Sequence, residues 1–122
     1  MAVGWAVEYT DEFGTWFADL NETVQDAVDR SVALLEARGP ELPFPYSSGL
    51  AGSRHRHMRE LRVQSVGDPL RIFYAFDPRR VAILLLGGNK AGDGRFYERM
   101  IPLVDRLYDA YLEEIRKEGL IP

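Results

Sequence analysis

Three short runs of sequence decide the fold: MRELRV at 58–63, LRIFYAF at 70–76 and VAILLL at 81–86. Each has the length and the β-branched or aromatic content of a strand. The segments between them, around Gly67-Asp68-Pro69 and Asp77-Pro78-Arg79-Arg80, have turn composition. They are too short for the crossover that parallel strands require. The three runs are therefore predicted to form an antiparallel meander.

Polar side chains on the first two strands are the main functional signal. Side chains alternate between faces along a strand, so Glu60 and Arg62 share one face, as do Arg71 and Phe73 on the next strand. In a hairpin, Glu60, Arg62 and Arg71 would gather on one surface. A carboxylate beside several cations can hold a phosphate and move a proton. A cross-strand ion pair on a half-exposed sheet explains the same residues without any function.

The N-terminal third predicts one strand and two helices. Residues 3–9 alternate between large apolar and small or polar side chains, which is typical of a strand. Thr10 or Asp11 can cap a first helix, and Asn21 can cap a second one. Gly39-Pro40 ends the second helix.

The remaining segments complete the predicted architecture. Residues 41–53 are rich in Pro, Ser and Gly and are predicted to be a loop, whereas apolar residues recur at helical spacing from about Arg95. Pro102 must start or kink that last helix. The predicted order is β-α-α-β-β-β-α in one domain spanning 1–122. We expect an α+β fold with a mainly antiparallel sheet and helices packed on one face, which leaves the other face partly open.

Composition excludes several classes of protein. The 122 residues suffice for one core, and 46% apolar residues argue against disorder. With no cysteine and only two histidines, we expect no disulfide, no cofactor and no metal site. No apolar run approaches the roughly 20 residues that span a bilayer. The N-terminus lacks the basic and long apolar segments of a secretory signal, so a cytoplasmic protein without a membrane partner is expected.

The charge is distributed unevenly. The net charge is −4, but residues 53–95 contain nine Lys and Arg against four Asp and Glu. The rest of the chain contains six Lys and Arg against fifteen Asp and Glu. A basic sheet on an acidic protein is compatible with an anionic ligand.

Four segments resemble the toxins of the RelE/ParE superfamily: MRELR at 58–62, LRIFYAF at 70–76, LLLGGNK at 84–90 and RFYE at 95–98. They are most similar to the HigB-like, phage-derived branch, whose third strand runs into a Gly-x-Lys loop. The resemblance covers nearly the whole chain and implies a RelE-like fold.

The resemblance implies the toxin of a bacterial type II toxin–antitoxin system. Ribonuclease members of the superfamily cleave mRNA, usually in the ribosomal A site, and thereby inhibit translation. The implied function is therefore an mRNA endoribonuclease, with a cognate antitoxin, mRNA and the ribosome as partners. Operator DNA would be reached only through the antitoxin.

Two alternatives stay open. Other members of the superfamily inhibit DNA gyrase and cleave nothing, and a binding module that has lost catalysis could serve in a repressor complex. This chain is acidic and lacks the paired lysines that some ribosome-dependent members place near position 60. Its dependence on the ribosome is therefore open too.

The resemblance also assigns roles to residues. Glu60 matches the place where members have either a basic residue or a glutamate general base, and we expect it to be the base. Arg71 matches the arginine that holds the scissile phosphate, and Lys90 would be a second cation. Tyr97 resembles a tyrosine that can stack on a base or lie near the leaving group. Further residues expected to contact RNA are Arg59, Arg62, Phe73 and His57. The general acid is not assigned, and the candidates are His55, His57 and Tyr97. The two histidines are candidates because histidine titrates near neutral pH.

Overall fold

The computed structural model of the chain describes residues 4–65 and 67–122. Within them are five strands and three α-helices. In chain order these are β1 (Val7–Tyr9), α1 (Asp11–Ala18), α2 (Glu22–Arg38), β2 (Ser47–Gly49), β3 (Arg59–Ser65), β4 (Asp68–Phe76), β5 (Ala82–Asn89) and α3 (Phe96–Lys117). A 3-10 turn at Gly39–Glu41 follows α2. The strand predicted over residues 3–9 is observed at its C-terminal end, and Val3 lies outside the described residues.

The strands form one mixed sheet in the order β1-β5-β4-β3-β2. β3, β4 and β5 are the predicted antiparallel meander, and β1 adds to β5 in parallel. In the β3–β4 hairpin Glu60 is opposite Phe73, and Arg62 is opposite Arg71. The α+β class and the common face of Glu60, Arg62 and Arg71 are thus confirmed.

The helix boundaries follow local chemistry. The side chain of Thr10 accepts a hydrogen bond from the backbone N–H of Phe13, and that of Asn21 accepts one from Val24. α2 stops at Gly39, whose φ of +57° suits glycine. None of the described helices has the combination of length and apolarity needed to cross a membrane.

The C-terminal helix begins where the sequence predicts, close to Arg95. α3 begins at Phe96, so of the two roles predicted for Pro102 it does not start the helix but lies inside it. The apolar side chains of Phe96, Met100 and Val104 are buried against the sheet. We infer that this burial outweighs the hydrogen bond that a proline in a helix interior loses.

A short strand was missed in the predicted loop at 41–53. Ser47–Gly49 pairs with Arg59–Leu61 and forms one edge of the sheet. Serine and glycine have low strand propensity. Long-range contacts hold the strand instead, since the Ser47 Oγ lies 2.6 Å from the Tyr74 hydroxyl in the buried interior.

The helices cover both faces of the sheet, which corrects the expectation that they share one. α1 and α2 pack on the face that carries Leu61, Ile72 and Leu84. α3 packs on the opposite face, against Phe73 and Leu85. The reason lies in β4 and β5, which are apolar on both faces and must be buried on both.

Two glycines allow helices to approach β5 from both sides. A Cβ on Gly87 would lie 2.4 Å from the ring of Trp16 in α1. A Cβ on Gly88 would lie 2.9 Å from the ring of Phe96 in α3. This close packing fixes the end of β5, and thereby the position of Lys90 just beyond it.

Candidate functional site

Glu60 is the centre of a polar cluster under α3. Only 5% of the Glu60 surface is exposed, and each of its two carboxylate oxygens accepts a hydrogen bond. The Tyr97 hydroxyl donates to Oε1 at 2.7 Å, and the Ser48 hydroxyl donates to Oε2 at 2.9 Å. A buried carboxylate is costly unless it is hydrogen-bonded and paired. The cluster therefore holds Glu60 in one defined orientation.

Two arginines lie beside this carboxylate at distances too long for a hydrogen bond. The Nε of Arg71 is 3.7 Å from Glu60 Oε1, and Nη1 of Arg62 is 3.6 Å from Oε2. Both distances are within ion-pair range but beyond hydrogen-bond range. Nη1 of Arg71 donates to the carbonyl of Leu70 at 3.0 Å, whereas its buried Nε has no hydrogen-bond partner among the described residues. Arg71 thus retains a donor beside Glu60.

Tyr97 reaches the cluster from the first turn of α3. Burial, followed by the hydrogen bond to Glu60, raises the pKa of Tyr97, although the nearby Arg71 acts in the opposite direction. The phenol therefore stays protonated at neutral pH and can donate a proton. The ammonium of Lys90 lies 5.4 Å from the centroid of the Tyr97 ring, in cation–π geometry.

The structure thus gathers Glu60, Arg62, Arg71, Lys90 and Tyr97 in one place. In this arrangement a carboxylate can accept a proton, guanidinium and ammonium groups can neutralise a phosphate, and a phenol can donate a proton. In residues 4–65 and 67–122 no group of three or more His, Asp or Glu is placed to hold a metal ion.

The structure corrects the predicted role of Phe73, which was expected to contact RNA. It is fully buried and packs against the rings of Phe96 and Tyr97. A nucleobase cannot stack on it, because α3 covers the face of the sheet on which it lies. Its role is in the core.

Arg59 and His57 lie outside the cluster. Alternation places Arg59 on the opposite face of β3 from Glu60, where its Nε donates to Ser47 at 3.0 Å. His57 is exposed and lines, with Arg59 and Arg80, a groove of about 580 Å³ that includes neither Glu60 nor Arg71.

His55 has a different setting. Its Nε2 lies 2.8 Å from Asp109 of α3, and its ring packs edge-on against Tyr108. Of the three candidate general acids, Tyr97 is the one in contact with Glu60.

Ser48 is the cluster residue that sequence reasoning missed. It lies in β2, directly opposite Glu60 in the register of β2 with β3. A serine in a Pro-, Ser- and Gly-rich segment carries no signal of a site. Only the unforeseen pairing of β2 brings its hydroxyl to the carboxylate.

Comparison with known proteins agrees with this picture. The model of the family "Phage derived protein Gp49-like (DUF891)" matches residues 15–109. "Putative toxin HigB3" of Mycobacterium tuberculosis is 42% identical over 98 residues, which cover 80% of this chain and 84% of that protein. "Putative toxin HigB2" of the same organism is 36% identical over 115 residues, which cover 93% of this chain. This chain spans 57% of the length of HigB2.

Solved structures show the same fold. A double mutant of the Escherichia coli toxin RelE in the free state has a TM-score of 0.56 at 12% identity, covering 76% of this chain and 90% of that one. The RelE–RelB complex from Pyrococcus horikoshii OT3 gives a TM-score of 0.53 at 15% identity, covering 72% of this chain and 97% of that one. With the family model matched over most of the sequence and a HigB toxin 42% identical over 80% of it, the chain belongs to the phage-derived Gp49-like family of HigB-like proteins, with a RelE-like fold.

Proposed function

We propose that this protein is the toxin of a type II toxin–antitoxin pair and inhibits translation by cleaving mRNA without a metal ion. The observation that carries the proposal is the Glu60 carboxylate, 3.7 Å from Arg71 and hydrogen-bonded to Tyr97. These contacts bring together a base, a phosphate-binding cation and an acid. Its relatives are described as toxins, which supports the same class.

In the proposed reaction Glu60 removes the proton from a ribose 2′-hydroxyl. The 2′-oxygen attacks the adjacent phosphorus, and the bond from phosphorus to the 5′-oxygen of the next nucleotide breaks. Tyr97 donates its proton to that departing oxygen. The products are a 2′,3′-cyclic phosphate and a free 5′-hydroxyl, and the step leaves Glu60 protonated and Tyr97 as a phenolate. When the hydrogen bond between these two groups re-forms, the proton passes from Glu60 back to Tyr97, so atoms and charge balance without water or a cofactor.

The cations stabilise the transition state. The buried Nε of Arg71 lies beside Glu60 and has no hydrogen-bond partner in the described part of the chain, and a guanidinium can contact two phosphate oxygens at once. Arg62 and Lys90 supply further positive charge from the two sides of the cluster. Donors fixed in place before the reaction are the most effective, because they need no reorganisation.

The carboxylate must become accessible for this chemistry. Tyr97 covers Glu60 in the free protein. In the proposed complex the 2′-hydroxyl takes the place of the phenol at Oε1, and the phenol turns towards the leaving oxygen.

The partners are part of the proposal. Solved relatives include toxin–antitoxin complexes of RelE with RelB, which supports a cognate antitoxin for this chain. mRNA is the proposed substrate, and the proposed place of cleavage is the cytoplasm. The mRNA would be cleaved either on the ribosome or free of it. The operator would be bound through the antitoxin.

The test uses Glu60→Gln and Arg71→Lys, with Arg71→Ala as a second variant. Each should relieve growth arrest and slow RNA cleavage about 10²-fold or more, since each removes a group that acts in the transition state. Exposed Glu22→Gln and Arg106→Ala are matched controls and should stay toxic. Cleavage by the native protein should be unchanged by EDTA.

Circular dichroism and an unfolding curve for each variant separate loss of activity from loss of folding. If folded Glu60→Gln and Arg71→Lys arrest growth as the native protein does, the proposal is wrong. Arrest accompanied by failure of DNA supercoiling would indicate the gyrase-inhibiting alternative. No arrest by the native protein would indicate a module without catalysis.

A further inference from the structure

Two aromatic side chains lie exposed at the β2 edge of the sheet. Phe44 is 69% exposed and Tyr46 is 48% exposed. They flank Pro45, and we call Phe44, Pro45 and Tyr46 the aromatic segment. Large apolar side chains gain free energy from burial. Two such rings left in solvent within three residues point to a ligand that covers them.

The aromatic segment is held rigidly against the sheet. The carbonyl of Tyr46 accepts a hydrogen bond from the N–H of Arg62 at 2.9 Å, and the N–H of Tyr46 donates to Pro43 at 3.0 Å. The next residue, Ser47, is fully buried and bonded to Tyr74. The rings are therefore presented from a fixed backbone, which lowers the entropy lost when a ligand binds.

The aromatic segment lies next to the candidate site, and Arg62 is between them. The guanidinium of Arg62 lies 5.2 Å from the centroid of the Phe44 ring and 3.6 Å from the Glu60 carboxylate. A groove of about 390 Å³ runs between the segment and α2, lined by Tyr46, Arg62 and Arg71, with Arg30 on the helix side. Arg62 thus lies between the Phe44 ring and the Glu60 carboxylate, and Arg71 lines the groove and also belongs to the candidate site.

We propose that the aromatic segment stacks a nucleobase of single-stranded RNA next to the scissile phosphate, with Arg30, Arg62 and Arg71 along the path of the backbone. The inference rests on the proposed function and adds the residues that bind the substrate beside the bond to be cleaved. Unpaired bases stack on aromatic rings, and guanidinium groups bind phosphate. The groove also lies within the roughly 300–1,000 Å³ that small-ligand sites occupy. Three arginines favour RNA over a protein partner, which would need carboxylates to meet them.

The test measures binding apart from cleavage. Glu60→Gln is used as the background, and the probe is a short fluorescein-labelled RNA of mixed sequence with 2′-O-methyl groups, which cannot be cleaved by 2′-hydroxyl attack. Fluorescence anisotropy gives its affinity. Phe44→Ala and Tyr46→Ala should each weaken binding roughly tenfold to a hundredfold, the range for loss of one stacked base. Tyr46→Phe should retain it, because stacking needs only the ring.

Tyr9→Ala is the matched control. Tyr9 is an aromatic residue with 66% exposure in β1, the opposite edge strand of the sheet. Its removal should leave RNA affinity unchanged.

The outcomes separate this inference from the proposed function. Native cleavage together with affinities that do not change in Phe44→Ala and Tyr46→Ala would overturn the inference alone. Ring-dependent RNA binding by a protein that cleaves nothing would overturn the proposed cleavage and leave the stacking site. No RNA binding in any variant overturns the inference, and the growth-arrest and cleavage assays of the Glu60 and Arg71 variants then decide the proposed function separately. If Phe44→Ala and Tyr46→Ala weaken only the complex with the antitoxin, the segment is a protein-docking surface and the inference is wrong.

Discussion

Two buried carboxylates, Glu60 and Asp77, have the same types of neighbour and different geometry. Each is contacted by a tyrosine of α3 and by an arginine. The two tyrosines, Tyr97 and Tyr111, are fourteen residues apart, or about 21 Å along the helix. One carboxylate is therefore near the start of α3 and the other near its end.

Every acceptor position of Asp77 is occupied at short range. Its Oδ1 accepts from the backbone N–H groups of Arg79 at 2.8 Å and Val81 at 3.1 Å. Its Oδ2 accepts from the Tyr111 hydroxyl at 2.8 Å and from the Arg79 guanidinium at 3.0 Å. These bonds close the β4–β5 turn and tie it to α3. The hydrogen bonds that Asp77 accepts are thus all supplied by the protein itself.

Glu60 accepts fewer hydrogen bonds than Asp77. It has two hydrogen bonds, from Tyr97 and Ser48, and two guanidinium groups that stay beyond hydrogen-bond distance. The Nε of Arg71 is buried and, within residues 4–65 and 67–122, makes no hydrogen bond. The difference teaches that burial and contact with a tyrosine and an arginine do not by themselves mark a carboxylate as a candidate for function. Glu60 differs from Asp77 in its unused hydrogen-bonding capacity, which is what makes it the candidate for binding a ligand.

The largest expected effect is on stability, from Asp77→Ala. It removes the acceptor of two backbone N–H groups, the Tyr111 hydroxyl and Arg79, so we expect the free energy of unfolding to fall by about 3 kcal/mol. Glu60→Gln keeps one carbonyl oxygen that can accept from one of the two hydroxyls, and its NH2 group can donate to the oxygen of the other. It should therefore cost less, about 1 kcal/mol. Urea unfolding followed by tryptophan fluorescence measures both. Equal losses would contradict the contrast between the two carboxylates.

The second expected effect separates the two tyrosines. Tyr111→Phe should lower the free energy of unfolding by about 1–2 kcal/mol and leave RNA cleavage per folded molecule unchanged. Tyr97→Phe should slow cleavage about 10²-fold, since it removes the proposed general acid, and should change stability less. A Tyr97→Phe protein that cleaves at the native rate would show that the acid is another group.

The Glu60 side of this contrast was within reach of the sequence, whereas the network around Asp77 was not predicted. Alternation along β3 and β4 is a local rule, so it placed Glu60, Arg62 and Arg71 on one face, and the structure agrees. The cap at Asn21 is equally local. The resemblance supplied Tyr97 and Lys90, which no periodicity would have singled out.

What was missed depends on tertiary contacts. The strand at Ser47–Gly49 has no propensity signal and is held by Tyr74 and by pairing with β3, so Ser48 was not foreseen. Phe73 was expected to contact RNA because the position of α3 was unknown. The apolar residues on both faces of β4 were a usable signal that a helix would cover that side too.

The smallest expected effect is a pH dependence that belongs to Asp77. Burial alone would raise the pKa of Asp77, but hydrogen bonds from Tyr111, from the Val81 N–H and from Arg79 outweigh it, and the net pKa lies below the ordinary value of 3.8. The folded protein therefore binds this proton less readily than the unfolded chain does. The resulting stability is fully present above about pH 4 and is lost as pH falls towards the lowered pKa of the folded state.

Two partly exposed carboxylates, Asp93 and Asp109, would change the stability with pH in the same direction, and high salt separates their effect from that of Asp77. Hydrogen bonds from Arg99 and Arg54 lower the pKa of Asp93 and of Asp109, but these pairs face solvent and are screened by salt. The Asp77 side chain is fully buried, so its contribution should persist at high salt. Unfolding free energies of the native protein and Asp77→Asn, compared between pH 5 and pH 3 in high salt, should show a steeper acid loss for the native protein. Parallel curves would mean that the buried network at the β4–β5 turn does not hold Asp77 in its ionised form, and the contrast with Glu60 would lose its electrostatic basis.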